Sequence, residues 1–111
     1  MAVDLAELRE DLGDEEAVRA IAQSFLDGAR LSLAQLRNEL TRRGHDEIRR
    51  LAHSIKGGAM NIGARDLQQA AQALELAAQE RRDAELEPLF VAVRERFGSV
   101  EDALRTAEGL S

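Results

Sequence analysis

Apolar residues recur every three or four positions along this chain, with polar residues filling the intervals. That is the period of an amphipathic α-helix, and it predicts five helical segments joined by short polar turns. The first runs from Leu5 to Leu12, with Asp4 as its N-cap, Glu7 three residues on and Gly13 closing it. The second starts after Asp14 with Glu15 and Glu16 in its first turn. Its stripe runs through Val18, Ile21, Ala22, Phe25, Ala29, Leu33, Leu36 and Leu40, and Gly44 is expected to end it. Gly28, inside this helix, costs ~1 kcal/mol relative to Ala.

A third helix begins after Asp46 and ends at Gly63. The fourth uses Leu67, Ala70, Ala71, Leu74, Ala77 and Ala78, then dissolves into Glu80-Arg81-Arg82-Asp83. The fifth carries Leu86, Leu89, Phe90, Val93 and Phe97, with Pro88 expected in its first turn, where a missing N–H is tolerated. Gly98-Ser99 either stops or kinks this helix, yet Val100 and Leu104 keep its register, so both outcomes stay open. The fold class expected is all-α: an antiparallel up-down four-helix bundle with a short additional N-terminal helix laid across it, residues 1–111 forming one domain.

Composition narrows the function classes. With no cysteine, the chain has no disulfide framework and no thiolate metal site. A net charge of −6 with scattered basic residues argues against a nucleic-acid footprint. The only aromatics, Phe25, Phe90 and Phe97, fall in helical register with aliphatic residues and form no stacking platform. No apolar run has the length of a membrane span, and Met1-Ala2-Val3-Asp4 lacks the features of a signal peptide. A cytoplasmic monomer without nucleic-acid or membrane partners is expected. Bundle di-metal sites need Glu-x-x-His pairs, but Arg42 and Arg50 stand three residues before His45 and His53. No metal or cofactor of its own is expected, and His45, following Gly44 at a helix entry, reads as a solvated histidine.

The third helix carries the candidate chemistry. On a wheel of ~100° per residue, Ile48, Leu51, Ala52, Ile55, Ala59 and Ile62 occupy one arc, and His53 points about 140° from its centre. His53 is therefore predicted to be exposed, with Lys56 and Gly57 one turn along on the same face. Lys56 is the single lysine among fifteen basic residues, and its compact ammonium suits phosphoryl oxygens. Gly57-Gly58 weakens a helix interior, which calls for compensation. Gly57 bares the surface beside His53, whereas Gly58 points back to the bundle and permits close helix packing.

The stretch Ala52-His53-Ser54-Ile55-Lys56-Gly57-Gly58-Ala59-Met60-Asn61-Ile62-Gly63-Ala64 resembles the signature of histidine phosphotransfer (HPt) domains: His, then Lys and Gly at +3 and +4, then Gly at +10. The resemblance extends through Leu67 and Leu74-Glu75. It implies a phosphorelay carrier in which His53 exchanges a phosphoryl group with receiver-domain aspartates of response regulators, fed by a sensor or hybrid histidine kinase. The receiver supplies Mg²⁺. By position, Glu75 matches the residue that hydrogen-bonds the imidazole in several members, and Gln72, a turn earlier, could assist. Partner docking is expected over the third helix with help from the first and fourth, through Gln72 and through Met60, which reads as a docking contact or a partly buried filler, while Leu5 and Leu8 either add an apolar patch there or cap the core. The chain has no nucleotide-binding motif, so it reads as a carrier rather than an enzyme. The same motif fits the phosphoacceptor domain of a chemotaxis-type kinase, phosphorylated in trans by an ATP-binding domain. A non-catalytic helical adaptor is the remaining alternative, and phosphorylation of His53 separates it from the other two.

Overall fold

The computed structural model describes residues 2–110. Its elements are α1 (Ala6–Leu12), α2 (Glu15–Arg42), α3 (His45–Asn61), α4 (Arg65–Gln79) and α5 (Asp83–Glu108). Helices α2 to α5 form the bundle, each packed on its sequence neighbour and α2 closing on α5. The molecule measures 42 × 22 × 20 Å, so α2, with 28 residues at about 1.5 Å each, spans its whole length. Helices α3 and α4 are shorter, at 17 and 15 residues, and α2 and α5 overhang the turn between them.

The N-terminal segment fills that overhang. The Asp4 amide donates to the Ile62 carbonyl at 3.2 Å, Leu5 joins the core at 5% exposure, and Arg9 pairs with Glu15 and Glu108. Asp4 Oδ1 accepts from the Ala6 amide at 3.0 Å, so the aspartate organises the entry to α1, although the helix proper starts one residue later than the periodicity suggests. Gly63 makes this packing feasible. It sits at φ +66°, and a Cβ there would lie 2.2 Å from the Asp4 carbonyl oxygen. Leu5 is thus an internal residue and caps the core rather than lining a docking patch, and Leu8 is partly buried against the same core.

Most of the predicted stripe is buried: Val18, Ala22, Leu36, Ile48, Ala52, Ala59, Leu74 and Val93 are inaccessible to solvent. Among the described residues no polar or charged residue is buried as a whole, although the Glu108 side chain that pairs with Arg9 is only 7% exposed. Phe25 and Phe97 contact each other across α2 and α5 with ring centroids 6.1 Å apart. Ile21, by contrast, is 39% exposed, so the apolar stripe of α2 is wider than the core it serves.

Several boundaries depart from the periodicity. Arg43, not Gly44, takes the left-handed position that ends α2, with φ 55°. Helix α3 starts at His45 because the Gly44 carbonyl already accepts from the Ile48 amide at 2.9 Å, and Asp46 falls in the first turn, where a helix dipole favours it. Helix α5 begins at Asp83, which makes Pro88 its sixth residue rather than a first-turn residue. The carbonyl that loses its donor belongs to Ala84, and both residues are exposed, so water meets the need. Gly98-Ser99 does not interrupt α5; the Ser99 hydroxyl bonds back to the Glu95 carbonyl at 3.5 Å.

His45 is not merely solvated. Its side chain is 13% exposed, its Nε2 lies 2.5 Å from Asp83 Oδ1, and its Nδ1 accepts from Arg81 Nη1 at 3.1 Å. Arg43 completes the cluster through Asp83 Oδ2 at 3.0 Å. The hydrogen bond from His45, aided by Arg43, holds the Asp83 carboxyl below its usual range. This knot ties the α2–α3 turn to the α4–α5 turn.

Gly63→Ala is expected to destabilise the bundle by roughly 2–4 kcal/mol in urea denaturation, because it combines left-handed strain with a clash against backbone. Unchanged stability would show that the N-terminal segment does not rest on this turn.

Candidate functional site

His53 lies on the exposed crest of α3, with 65% of its side chain accessible. Its Nδ1 is 2.8 Å from Glu75 Oε2, and Lys56 Nζ is 2.7 Å from Glu75 Oε1. One α4 carboxylate therefore serves two α3 side chains separated by a single turn. An ionised carboxylate only accepts, so Nδ1 carries the proton. In the neutral ring, Nε2 is then left with an exposed lone pair. Burial pushes the Glu75 carboxyl up, but the hydrogen bonds from Lys56 and His53 outweigh it and hold the group below its ordinary value.

Helices α3 and α4 pack on each other, and both bury alanines, Ala52 and Ala59 on α3 and Ala71 and Ala78 on α4; short buried side chains let helix axes approach closely. His53, Lys56 and Glu75 converge. Gly57 is exposed, and a Cβ on it would meet nothing within 4 Å. A Cβ on Gly58 would come 2.5 Å from Phe25 Cδ1, so this glycine is the α2–α3 packing contact. Met60 is 57% exposed two turns beyond His53. Gln72 is exposed on α4 and bonds neither the imidazole nor Glu75.

Helix α2 also borders the crest, which helical spacing alone does not indicate. A groove runs between α2 and α3 beside the His53 crest, walled by Ile21, Ser24, Phe25 and Gly28 on one side and by Ser54 and Gly58 on the other. Two signals pointed to it: a glycine in mid-helix without a stated purpose, and one apolar position more than the core requires.

The pH dependence follows from the depressed Glu75 carboxyl. A depressed carboxyl contributes stability that is present above its ordinary value of 4.5 and is lost as pH falls through the lowered one. Urea midpoints of wild type and Glu75→Gln measured from neutral to acid pH are expected to converge in that window, with the wild type falling more steeply. Parallel curves would remove the ionic share of the Glu75 bridge.

Comparison with known proteins identifies the family. The Hpt domain family matches residues 20–108 of the chain. No curated protein matches it. Among solved structures, histidine-containing phosphotransfer protein B (HptB) from Pseudomonas aeruginosa PAO1 superposes with a TM-score of 0.87 at 26% identity, covering 95% of this chain and 92% of that one. A rice protein described as a histidine-containing phosphotransfer protein shares the fold, with a TM-score of 0.79 at 19% identity over 95% of this chain and 78% of its own. An all-helical bundle, a family match across most of its length and an imidazole presented on a crest lead to one conclusion: the chain belongs to the Hpt domain family and serves histidine phosphotransfer.

Proposed function

We propose that His53 Nε2 is the phosphoryl acceptor and donor, and that the chain carries the group between receiver-domain aspartates of a cytoplasmic phosphorelay. The observation that carries this reading is the Glu75 bridge, which commits Nδ1 to a hydrogen bond and leaves Nε2 as the exposed nucleophile. In the loading step Nε2 forms a bond to phosphorus as the acyl-phosphate P–O bond breaks, and the receiver aspartate leaves as a carboxylate. The imidazole becomes cationic, and the Glu75 carboxylate on Nδ1–H offsets that charge. Unloading is the reverse, toward another aspartate.

Such transfer rests on positioning and charge neutralisation. Lys56 would release Glu75 and turn to the phosphoryl oxygens, exchanging one anionic partner for another. Gly57 leaves room for the receiver to approach, and the receiver would hold the Mg²⁺. The activated phosphoryl group arrives already made on another protein, which makes the chain a carrier rather than an ATP-using enzyme. Met60, on the flank of the crest, is a docking contact in this reading.

The test mixes the chain with phosphorylated receiver domains and with kinase cores, alongside His53→Ala. Transfer to the wild type but not to the variant is expected; label that never moves, or still moves in the variant, refutes the assignment. Which donor works also separates a relay intermediate from a kinase phosphoacceptor domain. Gly57→Gln should remain folded yet slow transfer about tenfold, equivalent to ~1.4 kcal/mol in the barrier. A wild-type rate would remove its role in clearance.

A further inference from the structure

Besides its histidines, α3 carries three basic side chains: Arg49, Arg50 and Lys56. Two of them are engaged. Arg50 pairs with Glu47 at 2.8 Å, and Lys56 with Glu75 at 2.7 Å. Arg49 is exposed, and among the described residues no carboxylate pairs with it, Asp46 three residues earlier included. Beyond Asp66 the only charge on α4 is Glu75, which is already shared between Lys56 and His53.

The place of Arg49 on the helix is specific. Lys56 stands about 60° from His53 around the axis, on the α4 side where it meets Glu75. Arg49 stands about 40° to that same side and about 6 Å nearer the N-terminus. Arg50 stands about 60° to the other side, with Gly57. Side chains on a helix lean toward its N-terminus, so the His53 imidazole lies over the turn that Arg49 opens. With Nδ1 held by Glu75, the free Nε2 is bracketed along the axis by Lys56 on one side and Arg49 on the other.

Charge gives Arg49 a use. In the unloaded site Glu75 and Lys56 cancel. A phosphoryl group on Nε2 adds about two negative charges while the ring gains one positive, which leaves one negative charge in excess. Lys56 is already counted in that sum, so balance requires a further cation. A guanidinium supplies two parallel N–H donors for phosphoryl oxygens and stays charged at any working pH.

We propose that Arg49 is a phosphoryl-binding residue of the loaded chain: its guanidinium turns onto the oxygens of the group on His53 from the N-terminal side, as Lys56 does from the C-terminal side. The proposal rests on the phosphotransfer reading and deepens it. Arg49 acts on the stability of the loaded state rather than on recognition of the partner, and it shifts the exchange equilibrium toward the chain.

The experiment uses a receiver that exchanges phosphate with the wild type and follows label until the ratio of loaded chain to loaded receiver is constant. That ratio depends on the free species alone, so a docking contact changes how fast it is reached and not its value. Arg49→Gln is expected to lower it about three- to fivefold, the worth of an exposed ion pair. Arg49→Lys should restore part of the loss, and Arg50→Gln should leave the ratio unchanged. Gln has a helix propensity close to that of Arg, so these variants keep the fold. In wild type loaded by phosphoramidate with no receiver present, the ¹⁵Nε–H signal of Arg49 should shift, and in His53→Ala treated alike it should not. An unchanged ratio in Arg49→Gln, an equal fall in Arg50→Gln, or an Arg49 signal that stays in place on loading overturns the proposal while leaving His53 transfer intact. Failure of the wild type to exchange phosphate with any receiver overturns the phosphotransfer reading and this proposal together.

Discussion

Glu75 is the constraint on which the arrangement turns. Its two oxygens face an imidazole and an ammonium that both belong to α3, so the carboxylate fixes a tautomer, pairs a cation and joins two helices at once. This works only because α3 and α4 pack on each other, and buried alanines on both helices keep the side chains between them short. Larger side chains there would move α4 outward and lengthen both bonds. The chemistry of the crest therefore depends on the smallness of residues that never touch it.

The rest of the bundle holds that pair in place. Helix α2 runs the full length of the molecule and meets α3 where Phe25 lies on Gly58. At one end Gly63 turns α3 into α4 and receives the N-terminal segment; at the other, Arg43, His45, Arg81 and Asp83 tie the two connecting turns together. The site sits between these two fastenings, on the shorter helices.

Much of this was legible in the sequence because it depends on local spacing. A period of 3.6 places His53, Lys56 and Gly57 on one exposed face, and the same period names most of the core. The boundaries of α3 and α5 were less legible, since one backbone hydrogen bond at Gly44 or a start at Asp83 shifts a helix without altering its stripe. Contacts between distant segments were least legible. Asp83 is 38 residues from His45, and nothing near either one announces the other. The burial of Leu5 has the same origin, because it depends on an overhang created by the unequal lengths of four later helices.

The contrast between the two histidines has a quantitative consequence. His45 has both ring nitrogens engaged, one by Arg81 and one by Asp83, and little of its side chain meets solvent. His53 engages one nitrogen and presents the other. An imidazole with no free lone pair is not a nucleophile, whatever donor is offered to it. Under the proposed transfer, His53 is then the imidazole that can load, and each chain would take up one group whatever its number of histidines.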